Sequence, residues 1–185
     1  MDETWKRAAS VAMDRYACGE DAAFSALYDL LAPRLSSFLM RRVGDVAKTE
    51  DLVQQTFLQM HCARRNFTHG ADVTAWAYAI ARRLCIDMLR KSGRECVGAE
   101  HEADTEYESI APGPLPDSAL EDSRLARRVE EELARVPDTQ RTAFELVHCD
   151  GLTVAEAAEV LGTTAVAIRL RVCRVRKVLR LALGD

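Results

Sequence analysis

Long apolar runs are missing from this chain. No stretch of about 18 apolar residues occurs, and the opening MDETWKR carries acids before any apolar segment, so neither a membrane span nor a secretory leader is expected. Strand-type alternation is missing too, which leaves an all-α fold. Glycine and proline are sparse, 9 and 5 of 185 residues, and no internal repeat is visible. No nucleophile–base pair, glycine-rich phosphate loop or carboxylate cluster stands out, so the chain is not expected to be an enzyme and no cofactor is called for. The six cysteines, Cys18, Cys62, Cys85, Cys96, Cys149 and Cys173, include no C-x-x-C pair. Closed zinc sites use paired ligands at short fixed spacing, so no metal site is expected. His61-Cys62 and His148-Cys149 nevertheless set an imidazole beside a thiol, and Cys96 shares its stretch with His101. In a chain that is 48% hydrophobic, the thiols read as reduced, mostly buried side chains of a cytoplasmic protein.

The hydrophobic content excludes global disorder, and the length suffices for one or two domains with real cores. A net charge of −4 argues at first against a nucleic-acid partner, but the acids are concentrated. Residues 1–91 carry 13 basic and 11 acidic side chains, residues 92–123 carry 1 and 9, and residues 124–185 carry 11 and 9. Phosphate contact is governed by the local field, so both ends remain candidates for nucleic-acid binding.

Taken in order, the periodicity predicts a helix over Glu3–Ala17. Next comes EDAAFSALYDLLAPRLSSFLMRRVG, with Phe24, Leu27, Tyr28 and Leu31 at helical spacing, a break near Pro33 and a further helix over Leu35–Val43 stopped by Gly44. A helix over Lys48–Arg65 places Leu52, Val53, Phe57 and Met60 on one face and Glu50, Asp51, Gln54, Gln55 and Gln59 on another. After the polar loop NFTHGAD, a fourth helix is predicted from an N-cap at Thr74 to a stop at Gly93. Periodicity lapses over Ser92–Asp122, an acidic stretch with proline and glycine that reads as a flexible linker. Helices over Leu120–Val136 and Thr139–His148 follow. The chain thus divides into a helical domain at 1–93, an acidic linker at 94–117 and a second helical domain at 118–185.

The last stretch, LTVAEAAEVLGTTAVAIRLRVCRVRKVLR, reads as two helices joined by a tight turn. Thr153 and Glu156 form a Thr-x-x-Glu capping box, Ala155, Ala158 and Leu161 recur at helical spacing, Gly162 stops the first helix and Thr164 caps the second. At about 100° per residue, Ile168, Val172, Val175 and Leu179 form an apolar stripe on that second helix. Val166, Leu170, Cys173, Arg174 and Lys177 lie opposite, with Arg169 and Arg180 on the flank. An apolar back with a cationic front suits a helix-turn-helix entering a DNA major groove.

The order of these parts resembles a bacterial RNA polymerase sigma factor of the extracytoplasmic-function (ECF) group of the sigma-70 family. EDAAFSALYDLLAPRLSSFL is similar to that family's opening stretch, EDLVQQTFLQM to its polymerase-clamp-binding helix and AWAYAIARRLCIDMLRK to its promoter-melting helix. PDTQRTAFELVHCDGLTVAEAAEVLGTTAVAIRLRVCRVRKVLR is similar to its −35-reading module. The resemblance implies binding to core RNA polymerase through the β′ clamp helices and the β flap, and to promoter DNA. It also implies an anti-sigma partner that masks the polymerase-binding faces.

By the same resemblance, Asp51, Gln54, Gln55 and Phe57 dock on the clamp helices. Phe67, Trp76 and Tyr78 would stack on extruded bases of the −10 strand, with Arg82, Arg83, Arg90 and Lys91 on its phosphates. Phe57 and Trp76 also fit core positions. The family's −35-reading positions fall on Arg169, Leu170, Cys173 and Arg174, and Thr163 and Thr164 stand ready for phosphate. Arg83 stands where the family often has asparagine, and Leu170 and Cys173 replace commoner polar or larger residues, so both promoter preferences are expected to be this chain's own. Neither a long N-terminal extension nor an additional C-terminal domain is expected, so sensing is expected to fall to another protein or to the thiols.

Overall fold

A computed structural model describes residues 4–91 and 120–183, and every regular element among them is helical. The chain divides into two compact units, Met1–Cys96 and Val97–Asp185. The predicted linker at 94–117, with Cys96 and His101, lies outside the described residues.

In the first unit α1 (Thr4–Ala17), α2 (Ala23–Val43), α3 (Val46–Ala63) and α4 (Val73–Lys91) pack around α2, which touches the other three. The core joins Leu27, Leu31, Leu35, Phe38 and Leu39 of α2 to Met13 and Tyr16 of α1, Leu52, Val53, Phe57 and Met60 of α3, and Ala77, Tyr78, Ala81 and Cys85 of α4. The expected break at Pro33 does not occur: α2 runs through it as one helix of 21 residues. An interior proline costs about 3 kcal/mol, since it removes one ladder hydrogen bond and crowds the preceding turn. Leu27, Leu31 and Leu35, each fully buried, straddle it on one stripe, and burial of each stabilises by about 1.5–3 kcal/mol. Packing on both sides therefore wins.

Gly44 ends α2 in the left-handed region, φ 65°, and Asp45 caps α3 by accepting the Lys48 amide at 3.1 Å. A short 3₁₀ turn, Arg64–Asn66, leads into the loop before α4. The α4 cap differs from expectation. Asp72 Oδ1 accepts the Thr74 amide at 2.7 Å, so Asp72 closes the helix start and Thr74 is fully buried within the first turn.

The second unit contains α5 (Leu120–Ala134), α6 (Asp138–His148), α7 (Val154–Leu161) and α8 (Ala165–Leu183), with α8 packed on the other three. The capping box forms as the sequence implies: Glu156 N donates to Thr153 Oγ1 at 3.2 Å and Thr153 N to Glu156 Oε2 at 2.7 Å. Gly162, φ 62°, turns the chain, and Thr164 Oγ1 accepts the Ala167 amide at 3.2 Å to open α8. The buried side of α7 is Ala157, Ala158 and Val160, whereas Ala155 is exposed. Ile168, Val172 and Val175 seat α8 on this core, and Leu179 is half-buried beside them.

Candidate nucleic-acid interface

Seating α8 on its apolar stripe fixes what it presents outward. Arg169, Leu170, Cys173, Arg174 and Lys177 are exposed, and Val166 and Leu170 keep 60% and 55% of their surface in solvent. No ion pair among the described residues uses Arg169, Arg174 or Lys177, so their charge is not spent on the protein's own acids. Thr163 is half-buried and Thr164 exposed at the helix start, where unsatisfied amides favour a phosphate. Two aliphatic side chains in a field of arginines match a major-groove wall, which offers hydrogen-bond acceptors, phosphates and the thymine methyl.

In the first unit, Phe67 from the loop and Trp76 from α4 meet with ring centroids 5.3 Å apart at 43°, both half-buried. Trp76, Arg83 and Arg90 recur every seven residues and so share one stripe of α4, about 10 Å apart along the axis. Arg83, exposed, donates to Gln59 Oε1 on α3 at 2.5 Å. Arg90 and Lys91 are exposed at the helix end, while Arg82 is half-buried and holds interactions of its own.

Tyr78 does not join this face. It lies two residues from Trp76, on the other side of the helix, fully buried with its ring 5.0 Å from Phe38, and so has no face for a base. The aromatic surface is therefore Phe67 with Trp76.

On α3, Asp51, Gln54 and Gln55 are exposed on one stripe. Phe57 is only 4% exposed, its ring 5.9 Å edge-on from Phe24 and 4.7 Å from Tyr28. It forms the floor of an apolar pocket of about 350 Å³ whose rim includes Tyr28, Gln54 and Leu58. The outward apolar residue of this face is Leu58, 61% exposed, which the sequence reading left out.

The sequence reading predicted the first helix and put Gln59 on a polar face, but gave neither a part in the site. Asp14 and Ser10 of α1 hold the loop before α4 through the Gly70 and Val73 amides. Their spacing of four on a helix is the signal that would have put both on one face.

The thiols correct the sequence reading. Cys85 is buried, but Cys18, Cys62, Cys149 and Cys173 are exposed, because they fall at helix ends or on solvent faces rather than on the apolar stripes. No group of three or more His, Cys, Asp or Glu among the described residues is placed to hold a metal ion. No helix among them is long and apolar enough to cross a membrane.

An aromatic pair beside a cationic stripe, and a helix-turn-helix whose cationic front forms no ion pair among the described residues, define a helical DNA-binding protein with two modules. Residues 27–95 match the family model for Sigma-70 region 2, and residues 126–179 that for Sigma-70, region 4. The chain is 33% identical to the ECF RNA polymerase sigma factor SigF of Caulobacter vibrioides over 163 residues, covering 87% of this chain and 86% of that one. It is 27% identical to the ECF RNA polymerase sigma factor SigW of Bacillus subtilis over 172 residues, covering 90% and 92%. Among solved structures it is similar to the sigma factor RpoE of Bartonella quintana, crystallised with the anti-sigma factor NepR. That likeness has a TM-score of 0.66 and 27% identity, over 87% of this chain and 96% of that one. The chain belongs to the ECF sigma factors of the sigma-70 family, and is a promoter-recognising transcription initiation factor.

Proposed function

We propose that residues 1–93 dock on core RNA polymerase and capture the unwound −10 strand, that residues 94–117 tether the two modules, and that residues 118–185 read the −35 duplex. The observation that carries this reading is the outward face of α8, cationic and in no ion pair among the described residues, opposite its buried stripe. Arg169 and Arg174 donate to guanine edges, each bidentate contact being worth about 1–3 kcal/mol of discrimination. Leu170, with Val166 one turn earlier, meets the 5-methyl groups of thymine. Cys173 sits at the base edges between them, and Thr163 and Thr164 take a phosphate.

In the first unit the Phe67–Trp76 pair stacks extruded bases, while Arg82, Arg83, Arg90 and Lys91 neutralise the strand. Asp51, Gln54 and Gln55 form the polar part of the polymerase-docking face, with Leu58 as its apolar contact and Phe57 beneath. The chain works as a binding and positioning factor in the cytoplasm, with no reaction chemistry of its own. An anti-sigma protein covers it until a signal arrives, a reading supported by the complex in which RpoE was solved.

Run-off transcription with purified core polymerase on a promoter library, for the parent, Arg169→Ala and Arg174→Ala, tests the assignment. Initiation at a defined promoter that either change weakens or re-specifies supports it. No transcripts on a broad library, with no co-elution with core, would overturn it in favour of a polymerase-independent DNA binder.

A further inference from the structure

The loop between the 3₁₀ turn and α4 is short, and its backbone is tied down both from within and from α1. Phe67 N donates to Arg64 O at 3.2 Å at one end, and Ala71 N to Thr68 O at 3.0 Å closes a turn across its middle. Gly70 occupies that turn at φ 77°, where an L side chain is strained, so its amide direction is set by the backbone. That amide meets the carboxylate of Asp14, 3.0 Å from Oδ1 and 3.3 Å from Oδ2. His69 Nδ1 lies 3.0 Å from the same Oδ1. One helical turn earlier on α1, Ser10 Oγ accepts the Val73 amide at 3.3 Å, where α4 begins. The Asp14 side chain is 17% exposed and so largely seated on α1, while Gly70 and the bond between them face solvent. Both residues lie ahead of the segment that matches the family's region 2, which starts at residue 27.

We propose that Asp14 and Ser10 are positioning residues for promoter discrimination. They hold the loop at Gly70 and Val73 so that an extruded base stacked against Phe67 and Trp76 meets a fixed backbone edge. The proposal rests on the reading of this loop as the −10 contact.

The physical distinction lies between stacking and selection. Every base has a π face, so stacking on an aromatic pair tolerates any base. Selecting one base requires donors and acceptors at fixed positions along its edge, and a loop free to move re-forms around the wrong one. Loss of the clamp therefore lowers discrimination more than affinity. A hydrogen bond to a charged group corresponds to roughly tenfold or more in an equilibrium constant.

The test uses holoenzyme assembled from core polymerase and the full chain, on premelted bubble promoters carrying each of the four bases at every non-template −10 position. The readout is the affinity ratio between preferred and rejected bases, for the parent, Asp14→Ala, Asp14→Asn and Ser10→Ala. Asp14→Ala is expected to lower that ratio about tenfold while total affinity for the preferred strand falls about threefold or less. Asp14→Asn, which keeps an acceptor oxygen, restores most of the ratio, and binding to −35 duplex is unchanged throughout. Hydrogen exchange of the Gly70 and Val73 amides accelerates in Asp14→Ala and Ser10→Ala respectively, while α2 amides stay protected.

If Asp14→Ala loses its helical signal, Asp14→Asn and Ser10→Ala carry the test by the same ratio. Parental ratios in variants whose loop amides exchange faster would overturn the clamp while leaving the −10 reading intact. A parent that prefers no base at any −10 position would overturn both.

Discussion

Arg83 on α4 donates from Nη2 to Oε1 of Gln59 on α3, 2.5 Å away, so one helix aims the cation of the next. Arg83 is exposed and Gln59 half-buried, and the bond keeps the guanidinium on the stripe that begins at Trp76. Without Gln59 the side chain must be ordered when the strand arrives, at about 0.5–1.5 kcal/mol. Gln59→Ala is expected to weaken holoenzyme binding to a fluorescent −10 single strand about two- to tenfold, and Arg83→Ala by at least as much. Anisotropy titration gives both values. Equal affinity in Gln59→Ala and parent, beside a loss in Arg83→Ala, would leave Gln59 without a part in aiming.

The two aromatics of α4 that lie two residues apart have opposite roles, and substitution separates them. Trp76→Ala removes a stacking surface and is expected to lower −10 strand affinity by about 1–3 kcal/mol. Tyr78→Phe keeps the buried ring against Phe38 and leaves strand binding where it was. Tyr78→Ala empties that core position and is expected to destabilise the first unit by about 3–5 kcal/mol. Thermal melting followed by circular dichroism, beside the same anisotropy titration, sorts the three. A strand-binding defect in a stably folded Tyr78→Phe would return Tyr78 to the interface.

What was legible in the sequence was local. Thr153, Glu156, Gly162 and Thr164 announce the turn between α7 and α8, because a cap or a left-handed glycine satisfies amides within a few residues of itself. The outward face of α8 followed as soon as Ile168, Val172 and Val175 were taken as its buried stripe. Contacts between helices were not legible. Asp14 meets Gly70 across 56 residues of chain and Arg83 meets Gln59 across 24, and no periodicity on one helix specifies its partner on another. Tyr78 was put on the wrong side of α4, and Phe57 stayed open between core and docking face, for the same reason: an aromatic suits a core and an interface equally until the neighbouring helix is in place. At Pro33 the local rule was outweighed by leucine packing on both sides.

Leu170 and Val166, a helical turn apart and more than half exposed, make a sharp claim about the −35 bases. The thymine 5-methyl is the apolar group on the major-groove wall, and uracil lacks it while keeping every hydrogen-bonding atom. Replacing thymine with uracil at the contacted positions is expected to weaken binding about threefold per methyl, in line with roughly 0.8 kcal/mol per buried methylene-sized group. In Leu170→Ala the parent affinity should drop, and the further penalty for uracil should shrink at one position and persist at others. Duplex binding measured for the four combinations makes a double-mutant cycle. A full uracil penalty that survives both Leu170→Ala and Val166→Ala at every position would assign the methyl contacts elsewhere.

His148 ends α6 with its ring 4.6 Å from Phe144, and its Nε2 is buried with no hydrogen-bond partner among the described residues. Burial holds its imidazole below the usual histidine range, and the positive charge of Arg176 pushes in the same direction. The folded state thus prefers the neutral ring more strongly than the unfolded chain does. Its contribution to stability is full above the ordinary imidazole value, and is lost as pH falls from there through the lowered folded value, because the unfolded chain takes up the proton first. The second unit is expected to melt at progressively lower temperature between about pH 7 and pH 5, in addition to any general acid effect. His148→Phe, which keeps an aromatic ring beside Phe144 and cannot be protonated, should flatten that part of the profile. Hydrogen exchange of α6 and α8 in the full chain reads the unit directly. Equal acid sensitivity of parent and His148→Phe would move the titrating group away from this packing of α6 on α8.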